Sequence, residues 1–581
     1  MKLELLPGSR SRILAALVLG IMAVFVVRLF YLQVIRYDHY VALADQEQIK
    51  RLIIPSQRGE IFAMDGDEPV KLVLNEAVYT VFADPKIIMQ EDEAEIIETM
   101  RRIAGGQTRS NIAELLTYKE TRYQILAKEV TRKQADLIKE AGLAGIGFQK
   151  ETRRVYPEGQ LAAQTLGFVN GEGEGQYGVE GQLDARLKGK DGLLQSVTDV
   201  SNVPLTIGDS NIDRPAQDGD DLVLTLDRNI QSYTEQALAD GLERSGATHG
   251  SVMVMNPENG RIMAMANLPT YKPAEYNTVQ NGADFTNDTI SVPYEAGSVI
   301  KTLTVAAGID QGVIEPDSTY YNTDRITVQD RVISNATKGQ TGVITMQTAL
   351  DFSLNTGMVT IAQRLGGGDQ INQQARNTMY EYYHDRFGLG QLTGVQLGGE
   401  APGRVIAPTE LEGNAVRYSN MSFGQGMNVT MVQVAAAFSS VINGGVYNAP
   451  SVIRGVVTET GELREEPARE SKRVISQTTS DKTRGMINTA RETFYSAQDR
   501  PGYEIGGKTG TSQTIDESGR YVDNETIATY LGYGGDDQPR YVIMVQVSGE
   551  NMNLEGGKHA APIFTDISNW MIDYLKLQPK E

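Results

Sequence analysis

The chain has 581 residues, 40% hydrophobic and 22% charged, which suits a folded protein with several cores rather than a disordered one. A formal net charge of −20 argues against nucleic acid as the main partner, because neutralising phosphates needs a basic surface. With no cysteine, disulfides and cysteine catalysis are excluded; the four histidines (His39, His249, His384, His559) are scattered, so no metal and no cofactor is expected.

The stretch from Ile13 to Val27, ILAALVLGIMAVFVV, is uncharged; Arg28 interrupts, and LFYLQVI carries the apolar character on to Ile35. The uncharged run is short for a span of about 20 residues, but Arg28 can snorkel and lengthen it. A cleaved leader would end in small residues, whereas Arg28-Leu29-Phe30-Tyr31 is bulky, so an uncleaved signal anchor over 13–35 is expected. Lys2, Arg10 and Arg12 precede it, which by the positive-inside bias makes 1–12 a cytoplasmic tail and puts the rest outside.

Tyr37 to Arg51 reads as a short connecting helix, followed by the turn-rich PSQRGEIFAMDGDEPV. Polar helical patterns run from Glu91 to Ala104, Arg109 to Tyr118 and Thr131 to Ala141. Arg153 to Gly192 is glycine-rich and suits loops and tight turns more than a continuous core. Near Asp218 the pattern changes. DLVLTLD reads as a strand, Arg228 to Arg244 as a helix, and GSVMVMNPENGRIMAMANL as two strands about the turn Pro257-Glu258-Asn259-Gly260. The far end mirrors this, with IATYLGYGGDDQPRYVIMVQVSG as a hairpin and Ile563 to Leu577 as a terminal helix. An antiparallel sheet built from both ends around a helical insertion is an α+β arrangement.

That insertion opens on YEAGSVIK, in which Ser298 and Lys301 share the first turn of an apolar helix. Average usage predicts on the order of one or two such Ser-x-x-Lys pairs by chance in a chain this long. Two further pieces test it. DFSLNTGM supplies Ser353 and Asn355 in a helix-to-helix turn, and IGGKTGTSQT supplies Lys508, Thr509, Gly510 and Thr511 ahead of a strand. Singly these read as an N-cap and a turn. Together and in this order they are the set used by penicillin-binding proteins and β-lactamases.

The chemistry accounts for the residue types. Positions i and i+3 of a helix share a face, so Lys301 can reach the Ser298 hydroxyl. A neutral Lys301 would act as general base, which requires its pKa to fall from about 10.4 towards 7 by desolvation and a second cation, for which Lys508 is placed. Ser353 can relay the proton to the leaving amine and Asn355 can hold the substrate amide. Lys508 with the Thr509 and Thr511 hydroxyls can bind a terminal carboxylate. The backbone N–H groups of Ser298 and Thr511 would form the oxyanion hole.

On these motifs the chain resembles the class B penicillin-binding proteins, the bitopic D,D-transpeptidases that cross-link peptidoglycan. Arg58-Gly59-Glu60-Ile61 is similar to the start of the family's R-G-x-I motif. RVYPEGQLAAQTLGFVN and GVEGQLDARLKGKDG resemble its pedestal signature, and Phe423 to Tyr447 (FGQGMNVTMVQVAAAFSSVINGGVY) a segment of its catalytic domain. Three positions depart from the pattern: Ala296 replaces a usual proline, Ile300 a usual phenylalanine, and FAMDG a more familiar D-R-N-G ending. None removes a reacting group. The resemblance implies an elongated mixed α/β pedestal over 36–215 and a serine D,D-transpeptidase domain over 216–578. It also implies peptidoglycan stem peptides as substrate, acylation by β-lactams, and a separate SEDS-type membrane glycosyltransferase as partner. VFADPKII (Val81 to Ile88) and YPEGQLAAQTLGFVN resemble the division-type pedestal more than the elongation type. An elongation-type enzyme, a β-lactamase or β-lactam sensor, and an inactive scaffold remain as alternatives.

Overall fold

The computed structural model describes residues 9–40, 49–197, 212–515 and 520–580. The chain divides into two compact units, Met1–Arg58 with Lys188–Gly219, and Gly59–Leu187 with Asp220–Glu581.

In the first unit, the helix Ser9–Phe30 runs on through one wider turn, Tyr31–Ile35. Its 25-residue stretch Ser11–Ile35 is long and apolar enough to cross a membrane. At about 1.5 Å per residue it outreaches a hydrocarbon core of about 30 Å. Of the connecting helix expected over Tyr37 to Arg51, only 37–40 is helical, and 41–48 lies outside the described residues. Residues 49–51 instead begin a strand, Ile49–Ile54, paired antiparallel with Gly192–Val197. A run of three isoleucines and a leucine favours a ladder once a partner strand is available.

The second unit holds two large sheets. One has seven strands: Ile61–Asp65, Glu68–Ala83, Gln124–Thr131, Ile146–Val155, Asp221–Asp227, Ile453–Val457 and Leu463–Glu465. Helices Glu93–Ala104, Ile112–Thr117 and Arg132–Glu140 pack on the long strand Glu68–Ala83 and its neighbours, close to the expected positions. Thr131 starts the last of them with a reciprocal capping box to Gln134. Asp221–Asp227 belongs to this sheet, parallel to Ile61–Asp65 and antiparallel to Ile453–Val457, and not to the sheet it was expected to open. Its side chains are buried on both faces from Leu222 to Asp227, a pattern that suits a middle strand. The glycine-rich region also differs from expectation, because 161–168 is wholly buried. Gln164 donates to the carbonyls of Pro269 and Asp284, and Tyr271 donates to the carbonyl of Ala163.

The second sheet has five antiparallel strands: β1 (His249–Met255), β2 (Ile262–Leu268), β3 (Glu504–Ile515), β4 (Tyr521–Gly535) and β5 (Pro539–Ser548). Their spatial order is β2-β1-β5-β4-β3, so both ends of the second region do build one sheet. The unbroken apolar runs follow from burial on both faces. Val252 and Val254 join the core beneath helices Arg228–Ser245 and Ala561–Tyr574, while Met253 and Met255 join the core shared with the insertion. Asp227 caps helix Arg228–Ser245 by accepting from the N–H groups of Asn229 and Ile230, a contact worth about 1 kcal/mol. Within the insertion, Lys301–Asp310, Met431–Ile442 and Gln477–Tyr495 pack together, and Gln477–Tyr495 lies along β3. Every residue of Met431–Ile442 is buried, as its all-round apolar sequence requires.

Candidate functional site

Ser298 lies in a tight turn, Gly297–Ile300, which feeds the buried helix Lys301–Asp310. The turn is pressed against β3. Gly297 has φ +63°, and a Cβ there would stand 2.9 Å from the Thr511 carbonyl oxygen. A Cβ on Gly510 would stand 2.9 Å from the carbonyl oxygen of Ala296, so both glycines are required by close backbone approach. The Gly297 N–H donates to the Gly424 carbonyl at 3.0 Å, which brings the FGQG stretch to the other side of the turn. Ala296 has φ −70°, the value proline would impose, so alanine keeps the geometry of the family pattern.

Lys301 is fully buried. Its Nζ donates to the Ser353 carbonyl at 2.6 Å, to Ser353 Oγ at 3.1 Å and to Asn355 Oδ1 at 2.8 Å. Ser353 has φ +56° in the turn between helices Met346–Asp351 and Asn355–Leu365. Its hydroxyl faces Lys301 and caps no helix; the capping position falls to Leu354. The Asn355 amide is held at both ends, since Nδ2 donates to the Ser334 carbonyl at 3.0 Å. The Ser298 hydroxyl makes no hydrogen bond among the described residues, so the direct contact expected between Ser298 and Lys301 is not formed in this structure. Lys301 is tied instead to Ser353 and Asn355.

Burial, and secondarily the Lys508 ammonium, hold Lys301 well below the usual lysine range. Burial also lowers Lys508, to about 7, while the Asp351 carboxylate opposes that shift. Lys508 lies inside strand β3, not ahead of a strand. The glycines that signal a turn there seat aromatic rings: a Cβ on Gly507 would meet Tyr530 Oη at 2.4 Å, and one on Gly506 would meet Tyr533 Cε1 at 2.3 Å. Lys508 Nζ donates to Thr509 Oγ1 at 3.2 Å, and Thr511 Oγ1 accepts from the Gly556 N–H at 3.1 Å. β3 ends the sheet order, so among the described residues its outer edge pairs with no further strand.

Ser298, Ser353, Asn355, Lys508, Thr509 and Thr511 line one cavity of about 820 Å³; Lys301 lies behind Ser353, and Gly510 faces the Gly297–Ile300 turn. The motif reading missed the rest of the wall. Phe352 and Phe494 meet edge to face at 5.6 Å, with Tyr495, Tyr530, Asp351, Gln425 and Glu555–Gly557 around them. Asp351, two residues before Ser353, could have been found as an acid adjoining a reactive motif. Phe494 and Tyr495 had no signal, since they end a helix that only the fold brings to β3. Asp351 accepts from Gln347 Nε2 at 2.7 Å, and burial raises its carboxyl.

The profile of the penicillin binding protein transpeptidase domain matches residues 250–569, and that of the penicillin-binding protein dimerisation domain matches 53–224. The penicillin-binding protein PbpB of Mycobacterium tuberculosis is 30% identical over 97% of this chain and 84% of its own length. The peptidoglycan D,D-transpeptidase FtsI of Escherichia coli is 26% identical over 98% of this chain and 92% of its own. The crystal structure of penicillin-binding protein 3 from M. tuberculosis, complexed with aztreonam, superposes with a TM-score of 0.68 and 26% identity, covering 91% of this chain and 98% of that one.

Proposed function

The chain belongs to the class B penicillin-binding proteins, serine-type peptidoglycan D,D-transpeptidases, and from that footing we propose that Ser298 carries the acyl group and that this enzyme serves the division septum. The observation that carries the mechanism is Lys301, buried, bonded to Ser353 and Asn355, and paired with no carboxylate among the described residues.

Ser298 Oγ attacks the carbonyl of the penultimate D-alanine and gives up its proton towards neutral Lys301. The C–N bond to the terminal D-alanine breaks, and Ser353 passes a proton to the leaving amine. An acceptor amine from a second stem peptide then attacks the ester and releases Ser298, with the proton returning by the same route. The developing oxyanion is held by the N–H groups of Ser298 and Thr511. Asn355 holds the substrate amide, and Lys508 with Thr509 and Thr511 binds the terminal carboxylate beside Gly510. β-Lactams acylate the same serine.

The helix over 13–35 anchors the chain with its 1–12 tail in the cytoplasm. The pedestal over 36–215 and the transpeptidase domain over 216–578 stand outside, and a SEDS-type polymerase supplies the glycan strand. Support for the septal role comes from VFADPKII and YPEGQLAAQTLGFVN in the pedestal. A fluorescent fusion tests it: mid-cell recruitment is expected, and a dispersed side-wall signal assigns the enzyme to elongation instead. A hydrolytic reading is kept because two carboxylates, Asp351 and Glu555, line the cavity. The lifetime of a fluorescent penicillin on Ser298 decides it, long for a transpeptidase and short for a β-lactamase.

A further inference from the structure

Three residues before the nucleophile stands a carboxylate that the mechanism leaves unused. Glu295 is only 5% exposed, and a buried carboxylate is costly unless its oxygens are satisfied. Its Oε1 accepts from the Gly426 N–H at 2.6 Å, and the Tyr521 hydroxyl lies 3.2 Å from Oε1 and 3.1 Å from Oε2. Among the described residues its hydrogen bonds are these, from an amide and a phenol. Arg417, from helix Ala415–Met421, donates to the Gly426 carbonyl at 3.3 Å and to Glu412 at 3.1 Å. Burial raises the Glu295 carboxyl, and the Gly426 amide, the Tyr521 hydroxyl and the charge of Arg417 oppose the rise.

These contacts join three segments. The first is the nucleophile turn itself. The second is the strand-like stretch behind it, where Tyr294 and Val429 exchange backbone bonds at 3.1 and 3.0 Å and Gly297 donates to Gly424; Phe423 and Gln425 from this stretch line the cavity. The third is the far arm of the β3–β4 hairpin, in which Tyr521 pairs opposite Ile515. β3 carries Lys508 to Thr511, and the ladder slips register between Gln513 and Ile515, so backbone pairing alone holds the arm less firmly there. Tyr521 is 47% exposed, which leaves its hydroxyl contact, more than ring burial, to fix it.

We propose that Tyr521 and Glu295 are positioning residues: their hydrogen bond tethers the β3–β4 arm to the nucleophile turn and so sets the register between Lys508–Thr511 and Ser298 for acylation. The role rests on the proposed acylation of Ser298, so the test has one readout that needs acylation and one that does not.

With the full chain in detergent and a fluorescent penicillin as probe, Tyr521→Phe is expected to lower the acylation rate constant at saturation about tenfold, with full final labelling and an unchanged thermal midpoint. A purely structural role would lower the midpoint or the active fraction and leave that rate constant alone. Adding Glu295→Gln to Tyr521→Phe is expected to cost no more than the worse single change, because both remove one contact. Acylation of Tyr521→Phe at the wild-type rate overturns the proposal, as do losses that multiply in the double variant. Amide exchange over 511–515 and 424–426 is expected to quicken in Tyr521→Phe; unchanged exchange overturns the tether even where no label is taken up. Labelling of Ser298→Ala would overturn the nucleophile assignment and leave the exchange result standing.

Discussion

Arg154 and Lys301 are both buried basic side chains of the same unit, and their surroundings are opposite. Arg154 is 5% exposed and bonds Glu180, itself fully buried, at 2.7 Å. It also donates to the Gly59 carbonyl at 2.7 Å and to Asn75 Oδ1 at 2.8 Å. Lys301 is equally deep, but among the described residues it bonds only neutral oxygens and has a second lysine as its charged neighbour. A guanidinium cannot shed its proton, so burying it demands a carboxylate; an ammonium can, and leaving it unpaired makes a base. One site is a strut and the other the proposed reagent. Substitutions at the two should therefore separate stability from chemistry.

The largest effect is expected at the group the lysine serves. Ser298→Ala should abolish labelling by a fluorescent penicillin while the unfolding transition stays in place, because the hydroxyl has no hydrogen bond to lose among the described residues. Residual labelling at the same site would move the nucleophile elsewhere. Next, Lys301→Arg should lower acylation by about three orders of magnitude, since it keeps charge and bulk but cannot act as a base. In the wild type the sign of the pH dependence follows from the lowered pKa. The neutral form grows as pH rises through the folded pKa, so acylation should rise with pH over that window. A rate indifferent to pH there, or an active arginine variant, would put the base at another residue.

The comparison sharpens when the same apolar replacement is made at both sites. Arg154→Met should destabilise the fold by about 3–5 kcal/mol, because it breaks the buried Arg154–Glu180 ion pair. Lys301→Met should change stability by no more than about 1 kcal/mol, since Ser353 and Asn355 line an open cavity where water can replace the amine. Equal losses in chemical denaturation would mean that Lys301 also serves as a strut.

The two regions were also unequally legible. The proposed reacting groups could be read because Ser-x-x-Lys, Ser-x-Asn and Lys-Thr-Gly are local patterns, and the fold had only to bring three of them together. The strut could not. Arg154 opens RVYPEGQLAAQTLGFVN, Gly59 belongs to the R-G-x-I piece and Glu180 to GVEGQLDARLKGKDG, yet nothing in their spacing says that they meet at one guanidinium. Long-range pairing hid two strands in the same way. Asp221–Asp227 looks like the start of a C-terminal sheet, and only Ile61–Asp65, lying parallel beside it, puts it in the other. Glycines misled most: Gly506 and Gly507 spell a turn locally but admit Tyr533 and Tyr530 against a flat edge strand. Phe494 and Tyr495 reach the cavity because helix Gln477–Tyr495 packs along β3, a contact with no local signature.

The smallest expected effect tests whether that edge strand binds charge or merely shapes the cleft. The Thr511 hydroxyl accepts from the Gly556 N–H at 3.1 Å, which leaves its own proton to donate towards a ligand carboxylate near Lys508. Thr511→Val keeps the backbone and nearly the volume but removes both hydrogen bonds. Binding of carboxylate-bearing peptide mimics should weaken about three- to tenfold, appearing in the pre-acylation binding constant, with the rate constant at saturation nearly unchanged. That split places Thr511 with Lys508 in ground-state capture, apart from the proton chemistry of Lys301. A fall in the saturating rate instead would assign the hydroxyl to the reacting centre, and unchanged binding would leave carboxylate capture to Lys508 and Thr509.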